Sequence, residues 1–297
     1  MQREGTAQSR IRSRPNAFAI AMKIATYNVN GVNGRLPRLL DWLTETSPDI
    51  VCLQELKTDD SKFPIKAIND AGYGAIWHGQ RSHHGVAILA KGESPQEIRR
   101  GLPGDAGDSQ TRYLEAEVKH IVVISLYLPN GNPQPGPKFD YKLAWFERLI
   151  EHARALYASG RPVVLAGDFN VVPTDFDIYN ASVWRWDAVM QPETREAYQR
   201  LLAQGWTDST RHLHPGEVIY TFWVNDDAFR RNAGFRMDFL LLSAALASRL
   251  KAAGVDTEFR GRQGASDHAP TWGTLSDRDL RTTPRKADVG TSRIIKQ

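Results

Sequence analysis

Short apolar runs that end in polar clusters constrain the fold of this chain more than any other feature of its sequence. Runs of strand length occur at residues 23–27, 49–53, 86–90, 113–118, 121–128, 163–166, 237–242 and 271–274. Amphipathic helix patterns are interspersed at 35–46, 139–158 and 192–204. Only two residues separate 113–118 from 121–128, which is too few for a helical crossover. The pattern predicts one α/β domain with much antiparallel pairing.

The two ends of the chain differ from its body in charge and composition. Residues 1–21 and 277–297 each carry a net charge of +3, so the overall +4 leaves −2 for residues 22–276. We expect a disordered basic leader at 1–21, a single domain at 22–276 and a disordered basic tail at 277–297. An alternative is that Met22 is the true start. Because the basic excess lies at the two ends and not in residues 22–276, the overall charge is not evidence for a polyanionic partner.

Cysteine content and hydropathy indicate the cellular compartment of the protein. The only cysteine, Cys52, lies inside an apolar run, which favours a buried thiol over a nucleophile. No apolar run approaches the ~20 residues of a membrane helix, so no membrane partner is predicted. A lone thiol fits a reducing compartment, and we expect a cytoplasmic protein. Nothing in the sequence demands more than a monomer.

Polar clusters follow several of the predicted strands and are the main candidates for chemistry. Glu55 ends a strand that reads as fully buried; such an acid is either a loop charge or a ligand of a hard cation. Asp168 and Asn170 leave a strand through a glycine. They would orient a water and hold a phosphate, or they form an Asx-turn. Carboxylates and amides gathered at strand ends suit metal-dependent cleavage of a phosphodiester.

A histidine near the C-terminal end completes this set. His268 follows Asp267, and Asp238 opens an apolar run where a buried charge requires a partner. A carboxylate that accepts a hydrogen bond from the imidazole would hold the ring and raise its pKa. The resulting imidazolium would stabilise charge that develops on a phosphate.

Neutral and basic side chains near the same strand ends have two possible roles. Asn28, Tyr127 and Asn130 cap apolar runs, and they either form turns or contact a phosphate. Arg112 and Arg236 would grip backbone phosphates. The aromatic residues among the basic ones, Trp223 included, would stack on a base if the phosphodiester belongs to a nucleic acid, or they simply pack a loop on the domain.

Taken together, these stretches resemble the exonuclease III family of abasic-site DNA repair nucleases, within the wider endonuclease/exonuclease/phosphatase superfamily. The resemblance spans about residues 22–276. Its motifs occur in the order IATYNVNG (24–31), LQELK (53–57), GQ to GVAIL (79–89), YLPNG (127–131), GDFN (167–170), YTFW (220–223) and SDH (266–268). It implies a DNase I-like, four-layer α/β sandwich of two packed mixed β-sheets flanked by helices, with the active site at one end.

The resemblance also implies a cofactor and a substrate. By this resemblance Glu55 is the main ligand of Mg²⁺ or Mn²⁺, and Asn28 and Asp267 lie beside the metal. Tyr127 and Asn130 contact the phosphate. The implied partner is duplex DNA with abasic sites or 3′ ends.

The same resemblance implies how the reaction runs. Asp168 activates or aligns the attacking water, and Asn170 holds the phosphate. His268, paired with Asp238, contacts the scissile phosphate. The enzyme would cut 5′ to an abasic site to leave a 3′-hydroxyl, digest duplex DNA from 3′ ends and trim blocked 3′ termini.

Three departures from the family pattern affect loops and leave the catalytic residues intact. Val224 follows Trp223 where relatives usually have Asp, Phe239 replaces a frequent His, and residues 263–265 lack a frequent Lys. They put the balance of endonuclease and exonuclease action in question. The alternative function is another phosphoesterase of the superfamily, either an RNA-directed nuclease or a phospholipid or inositol phosphatase. A DNA-binding paralogue without catalysis would lack one of the acidic or histidine residues, and all of them are present.

Overall fold

A computed structural model describes residues 21–276, and this part of the chain alternates strands and helices as predicted. The leader and tail predicted at the two ends lie outside the described residues, apart from residue 21. The strands of the described part are β1 (Met22–Asn28), β2 (Ile50–Gln54), β3 (Tyr73–His78), β4 (Val86–Lys91), β5 (Gln96–Arg100), β6 (Tyr113–Val118), β7 (Ile121–Tyr127), β8 (Val163–Asp168), β9 (Thr207–Asp208), β10 (Asp238–Leu242), β11 (Leu250–Val255) and β12 (Thr271–Leu275).

Helices connect these strands and cover their outer faces. They are α1 (Leu36–Thr46), α2 (Ile65–Asp70), α3 (Pro137–Ala158), α4 (Ala181–Trp184), α5 (Pro192–Leu202), α6 (Ser209–Leu213), α7 (Asp226–Arg230), α8 (Ala244–Ala247) and α9 (Thr257–Arg260), with 3₁₀ turns at Asp60–Lys62, Asp175–Asp177 and Ala188–Met190. Proline occupies the first turn of α1, α3 and α5, where its missing N–H costs nothing. None of the described helices is long and apolar enough to span a bilayer.

The strands form two six-stranded sheets, each with one parallel pair. The first sheet has the order β11-β12-β1-β2-β4-β3, and the second has the order β5-β6-β7-β8-β10-β9. β1 runs parallel to β2, and β7 runs parallel to β8, while the other pairs are antiparallel. The β6–β7 hairpin confirms the antiparallel pair expected from its two-residue connection.

The inner faces of the two sheets pack on each other and form the central core. Ile24 and Cys52 of the first sheet join Val123, Val164 and other residues of the second in one buried cluster. Burial raises the pKa of the Cys52 thiol, in keeping with the structural reading of that residue. Strands such as β7 are apolar along both faces because one face meets the opposite sheet and the other meets helices.

The outer faces are covered by helices, which completes four layers. Leu39 and Trp42 of α1 pack on the first sheet, and Phe146 and Leu149 of α3 pack on the second with help from α5. Helices α1, α3 and α5 each bury one apolar stripe, as the 3.6-residue period requires. The predicted four-layer sandwich of two mixed sheets flanked by helices is confirmed.

Candidate active site

Strand register brings the predicted site residues to one end of the sandwich. In the parallel pairs, Asn28 is opposite Gln54, and Tyr127 is opposite Asp168. Carboxyl ends of parallel strands share an edge, so these residues and the adjacent Glu55 meet there. Antiparallel β10 begins at the same edge, where Asp238 is opposite Asp168.

Asp168, Asp238 and His268 form a buried group, which we call the catalytic cluster. His268 Nδ1 lies 2.8 Å from Asp238 Oδ2, and its Nε2 lies 3.8 Å from Asp168 Oδ2. All three side chains are at most 4% exposed. Thr221 Oγ1 accepts hydrogen bonds from the backbone N–H groups of Met237 and Asp238, which fixes the start of β10. Within the described part of the chain, no group donates a hydrogen bond to the buried Asp238 Oδ1.

Burial and mutual charge shift the pKa values of this cluster in a consistent way. Burial opposes the imidazolium, but the charges of Asp238, Asp168 and Asp267 outweigh it and raise the pKa of His268 to about 10. Burial, with the neighbouring charge of Asp238, raises the pKa of Asp168 to about 7, against the opposing effect of His268. A charged histidine therefore lies beside a carboxylate that exchanges its proton near neutral pH.

The carboxamide of Asn28 connects the catalytic cluster to Glu55. Its Nδ2 donates to Glu55 Oε1 at 2.9 Å and to Asp168 Oδ2 at 3.0 Å, while its Oδ1 accepts from the backbone N–H of Asn30. Glu55 also pairs with Lys57 at 2.7 Å. Burial would raise the pKa of Glu55, but the hydrogen bonds from Asn28 and Lys57 lower it. Glu55 is thus an ionised, half-enclosed carboxylate.

Glu55 has an unusual backbone conformation that the strand beneath it supports. Its φ of 51° lies in the left-handed region, which costs energy for a residue with a side chain. The preceding Gln54 is pinned between the sheets: Thr26 Oγ1 donates to its Oε1, and its Nε2 donates to Ser125 Oγ. This rigid base holds the turn that aims Glu55 at Asn28.

Asp267 belongs to the same end of the sandwich but to a different wall of the site. Its Oδ1 accepts from Asn30 Nδ2 at 2.9 Å. Ser266 Oγ donates to the backbone oxygen of Asn28 at 2.7 Å, which ties this loop to β1. Burial acts against ionisation of Asp267, but the charge of His268 and the hydrogen bond from Asn30 lower its pKa.

Amides and a tyrosine form the third wall. Asn170 donates to the backbone oxygen of Leu128 at 2.9 Å, and Asn130 donates to Asn170 Oδ1 at 3.2 Å. The Asn170 N–H donates to Asp168 Oδ1, an Asx-type bond, so the turn and the site geometry coexist. Burial, followed by the charges of Glu55 and Asp168, raises the pKa of Tyr127, which keeps its hydroxyl protonated.

A cleft of about 570 Å³ opens beside this wall. Arg112 and Asn130 line it together with His83, His84 and Tyr141. The Arg112 guanidinium lies 4.7 Å from the centre of the Tyr127 ring and donates to the Tyr127 backbone oxygen. The cleft shares Asn130 with the site and is lined by donors that suit an anion.

The predictions for Arg236 and Trp223 as substrate-binding residues need correction. Arg236 is 2% exposed, and its guanidinium is occupied by Asp177 at 2.7 Å and Asp208 at 2.6 Å. Trp223 is 1% exposed and packs edge-on against Phe229. An enclosed, neutralised guanidinium and a buried indole present nothing to a substrate. Both residues hold loops in place instead.

Lys142 is a functional candidate that the sequence patterns did not reveal. Its ammonium group is fully buried and donates to the backbone oxygens of Pro129, Asn130 and Asn170. Burial lowers its pKa to about 7, while three carbonyl oxygens match the three donors of the charged form. Its place on the inward stripe of α3, one turn before Phe146, was the available signal.

A two-sheet sandwich with buried acids, amides and one charged histidine at one end defines a hydrolase of phosphate esters. The chain belongs to the Endonuclease/Exonuclease/phosphatase family, whose model matches residues 25–268. The predicted resemblance and the assignment as a nuclease are confirmed. The family relationship also makes it a metal-dependent type of nuclease without naming the ion.

Individual relatives match almost the whole described chain. Exodeoxyribonuclease III of Haemophilus influenzae is 35% identical over 264 residues, which cover 84% of this chain and 98% of that protein. A Neisseria 3′ phosphatase, NExo, solved with a product DNA hairpin, has a TM-score of 0.83 at 40% identity and covers 86% of this chain and 100% of its own. An AP endonuclease from Archaeoglobus fulgidus has a TM-score of 0.82 at 33% identity, with the same coverage. The DNase I-like fold assignment is thereby confirmed.

Proposed function

We propose that this protein is a Mg²⁺-dependent DNA repair phosphodiesterase. It cuts the backbone 5′ to abasic sites to leave a 3′-hydroxyl, and it degrades and trims duplex DNA from 3′ ends. The observation that carries the proposal is the Asn28 carboxamide, which joins Glu55 to Asp168 beside the buried Asp238–His268 pair. The names of the relatives, an exodeoxyribonuclease III, a 3′ phosphatase and an AP endonuclease, support both halves of the activity.

Asp168 is the group that aligns or deprotonates the attacking water. Its pKa of about 7 places the proton-accepting form near neutral pH, where a general base is most effective. Asn28 and the Asn170 N–H hold both carboxylate oxygens in place. A water at this carboxylate would face a phosphate bound along the neighbouring walls.

The phosphate is held by a charged donor on one side and neutral donors on the other. The imidazolium of His268 contacts Asp238 through Nδ1 at 2.8 Å, and Nε2, which lies 3.8 Å from Asp168 Oδ2, is the nitrogen that would donate to a phosphate oxygen. Asn170, Asn130 and Tyr127 supply neutral donors at the opposite wall. Fixed donors of this kind stabilise charge that develops in the transition state.

The residues present fit a hard divalent cation on the Glu55 side of the site. Glu55, Asn28 and Asp267 offer carboxylate and amide oxygens, and the pKa values of both acids are lowered, so both are ionised. Mg²⁺ or Mn²⁺ bound there would neutralise phosphate charge and stabilise the leaving oxygen. The Asp168–Asp238–His268 group is close enough for a metal, but the imidazolium already supplies the positive charge there.

The partners and setting follow from this function. The substrate is duplex DNA with an abasic site or a 3′ end, and a monomer of the catalytic domain at residues 22–276 contains every proposed site residue. We place the protein in the cytoplasm, and we propose that the basic side chains of residues 1–21 and 277–297 add phosphate contacts.

The proposal is tested with an end-labelled duplex that carries one abasic analogue, beside an undamaged duplex, in Mg²⁺ or in EDTA. We expect a Mg²⁺-dependent nick 5′ to the analogue and slower shortening of both duplexes from their 3′ ends. Folded protein that cuts neither DNA, but cleaves RNA into fragments or releases phosphate from an inositol phosphate, would refute the DNA assignment in favour of another phosphoesterase.

A further inference from the structure

One segment beside the active site exposes far more apolar surface than the rest of the described chain. Seven large apolar side chains are exposed among residues 21–276, and four of them lie between 176 and 186. Phe176 is partly covered by the Arg211 guanidinium, 4.8 Å from its ring centre. Tyr179, Val183 and Trp186 are 58%, 68% and 70% exposed, and we call these three residues the aromatic surface. Exposed apolar groups concentrated in this way indicate a binding site.

The Tyr179 side of the aromatic surface is joined to the catalytic cluster by backbone bridges. Tyr179 N donates to the Gly234 oxygen at 3.0 Å, and Ile178 forms a bridge with Phe235. Phe222 in turn bridges both Phe235 and His268. Three successive bridges therefore connect Ile178, the residue before Tyr179, to the histidine proposed to contact the scissile phosphate.

The Trp186 side is joined to the opposite wall of the site by an independent route. Gln134 Nε2 donates to the Trp186 backbone oxygen at 2.8 Å, and Asn132 Nδ2 donates to Asp187 Oδ1 at 3.0 Å. The Asn132 N–H donates to Asn130 Oδ1 at 3.1 Å. Asn130 belongs to the wall of the site formed by amides and Tyr127, so the backbone that carries the indole is fixed relative to the place where a DNA backbone would bind.

Charge and chemistry of the aromatic surface favour nucleobases as its occupant. Residues 178–186 contain no acid, and the Arg185 guanidinium lies 5.3 Å from the centre of the Trp186 ring. Flat rings next to a cation stack on bases while the cation meets the backbone phosphate. A membrane would require a larger apolar area and several basic residues.

We propose that Tyr179 and Trp186 form a stacking site for unpaired nucleobases of the strand whose phosphate occupies the active site. The inference rests on the proposed DNA repair function and adds a substrate preference to it. A paired duplex keeps its bases stacked on one another and gains little from this surface. DNA with frayed or single-stranded nucleotides at its 3′ end gains a stacking partner for each free base.

Four variants test the stacking site: Trp186→Ala, Tyr179→Ala, Trp186→Phe, and Ile98→Ala as an exposed apolar control on β5. Binding in EDTA is measured by anisotropy of a labelled duplex with three unpaired 3′ nucleotides and of a blunt duplex. Stacking on one base corresponds to about a fivefold to hundredfold change in Kd. We expect this loss for the two alanine variants on the unpaired end, a change under about twofold on the blunt duplex, and near wild-type binding for Trp186→Phe and Ile98→Ala.

Three outcomes would overturn the stacking site. Equal loss on both DNAs would mean that the residues maintain the fold, and unchanged binding would mean that bases do not reach the surface. A change in self-association by light scattering with unchanged DNA binding would assign the surface to a protein contact and also refute the proposal. Failure of the DNA repair function is seen separately, because the wild-type protein would then leave the abasic duplex uncut.

Discussion

Arg236 and Asp238 are separated by one residue, yet they enter two buried clusters of opposite character. Arg236 joins Asp177 and Asp208, and Arg211 also pairs with Asp177 at 2.7 Å; we call these four residues the paired cluster. Asp238 joins the catalytic cluster. Two arginines balance two aspartates in the paired cluster, whereas one histidine faces two aspartates in the catalytic cluster.

The difference extends to individual atoms. In the paired cluster each carboxylate meets at least one guanidinium, as buried charges require. In the catalytic cluster Asp238 Oδ1 accepts no hydrogen bond from residues 21–276, and Glu55 and Asp267 add negative charge nearby. The charges of the paired cluster neutralise one another, which is what a structural role requires. The catalytic cluster has excess negative charge and open donors, so a cation and a substrate are needed to balance it.

The strongest test of this contrast removes the proposed base. Asp168→Asn keeps the shape but cannot accept a proton, so we expect turnover on an abasic duplex to fall by about 10³-fold or more. DNA binding stays intact or tightens because a buried negative charge is lost. Asp175→Asn, 72% exposed on the loop that follows, is the matched control and keeps full activity. Cleavage by Asp168→Asn within tenfold of wild type would remove Asp168 from the mechanism.

The reciprocal test breaks the paired cluster. Arg236→Met leaves Asp208 and part of Asp177 as buried, uncompensated charges, and we expect the free energy of unfolding to fall by about 3–5 kcal/mol. Urea denaturation measures it, with exposed Arg231→Met as control. The folded fraction should keep its turnover. Loss of turnover at full stability would show that the two clusters are not separable.

Lys142 tests whether a neutral wall of the site depends on one buried charge. Lys142→Met leaves three carbonyl oxygens without their donor, and displacement of Asn130 and Asn170 is expected to lower kcat by about tenfold to a hundredfold with little change in KM. Lys142→Arg should restore part of kcat, which a purely apolar packing role would not predict. Lys66→Met, a helical lysine that is 89% exposed, is the control.

The smallest expected effect concerns stability as a function of pH, which changes in opposite directions for the two clusters. The pKa of His268 is raised from 6.5 to about 10, so its stabilising contribution is full below pH 6.5 and disappears as pH rises towards 10. Burial would raise the pKa of Asp177, but Arg236 and Arg211 hold it below 3.8. The contribution of Asp177 to stability therefore disappears as pH falls below that value. Thermal midpoints of His268→Gln and Asp177→Asn should approach wild type in alkali and in acid, respectively. The reverse trends would contradict these assignments.

The sequence patterns were sufficient to predict the end of the sandwich where the candidate active site lies. An apolar run followed by an acid marks a buried strand that stops at an edge, and this pattern located both Glu55 and Asp168. Parallel pairing then brings such edges together. All eight predicted runs match strands to within two residues at each end.

The parts that the sequence did not predict depend on distant partners or on the lack of an apolar signal. Arg236 finds its carboxylates 59 and 28 residues away, and no local pattern distinguishes it from a phosphate-binding arginine. Strand β5, Gln96–Arg100, is an exposed edge rich in charge, which suits an edge but hides it from hydropathy. The burial of Lys142 was not predicted either. A lysine in a helix is ordinarily assigned to the solvent-facing side, even where its position falls on the apolar stripe.

The burial of Cys52 has a practical consequence for labelling this protein with a fluorescent dye. The chain has a single thiol, fully enclosed between the sheets, with a pKa raised by burial, so it forms little thiolate for a maleimide to attack. A cysteine introduced at any exposed position would therefore be the one site that takes up a dye, with no background substitution needed. The native sequence is already suited to site-specific fluorescence.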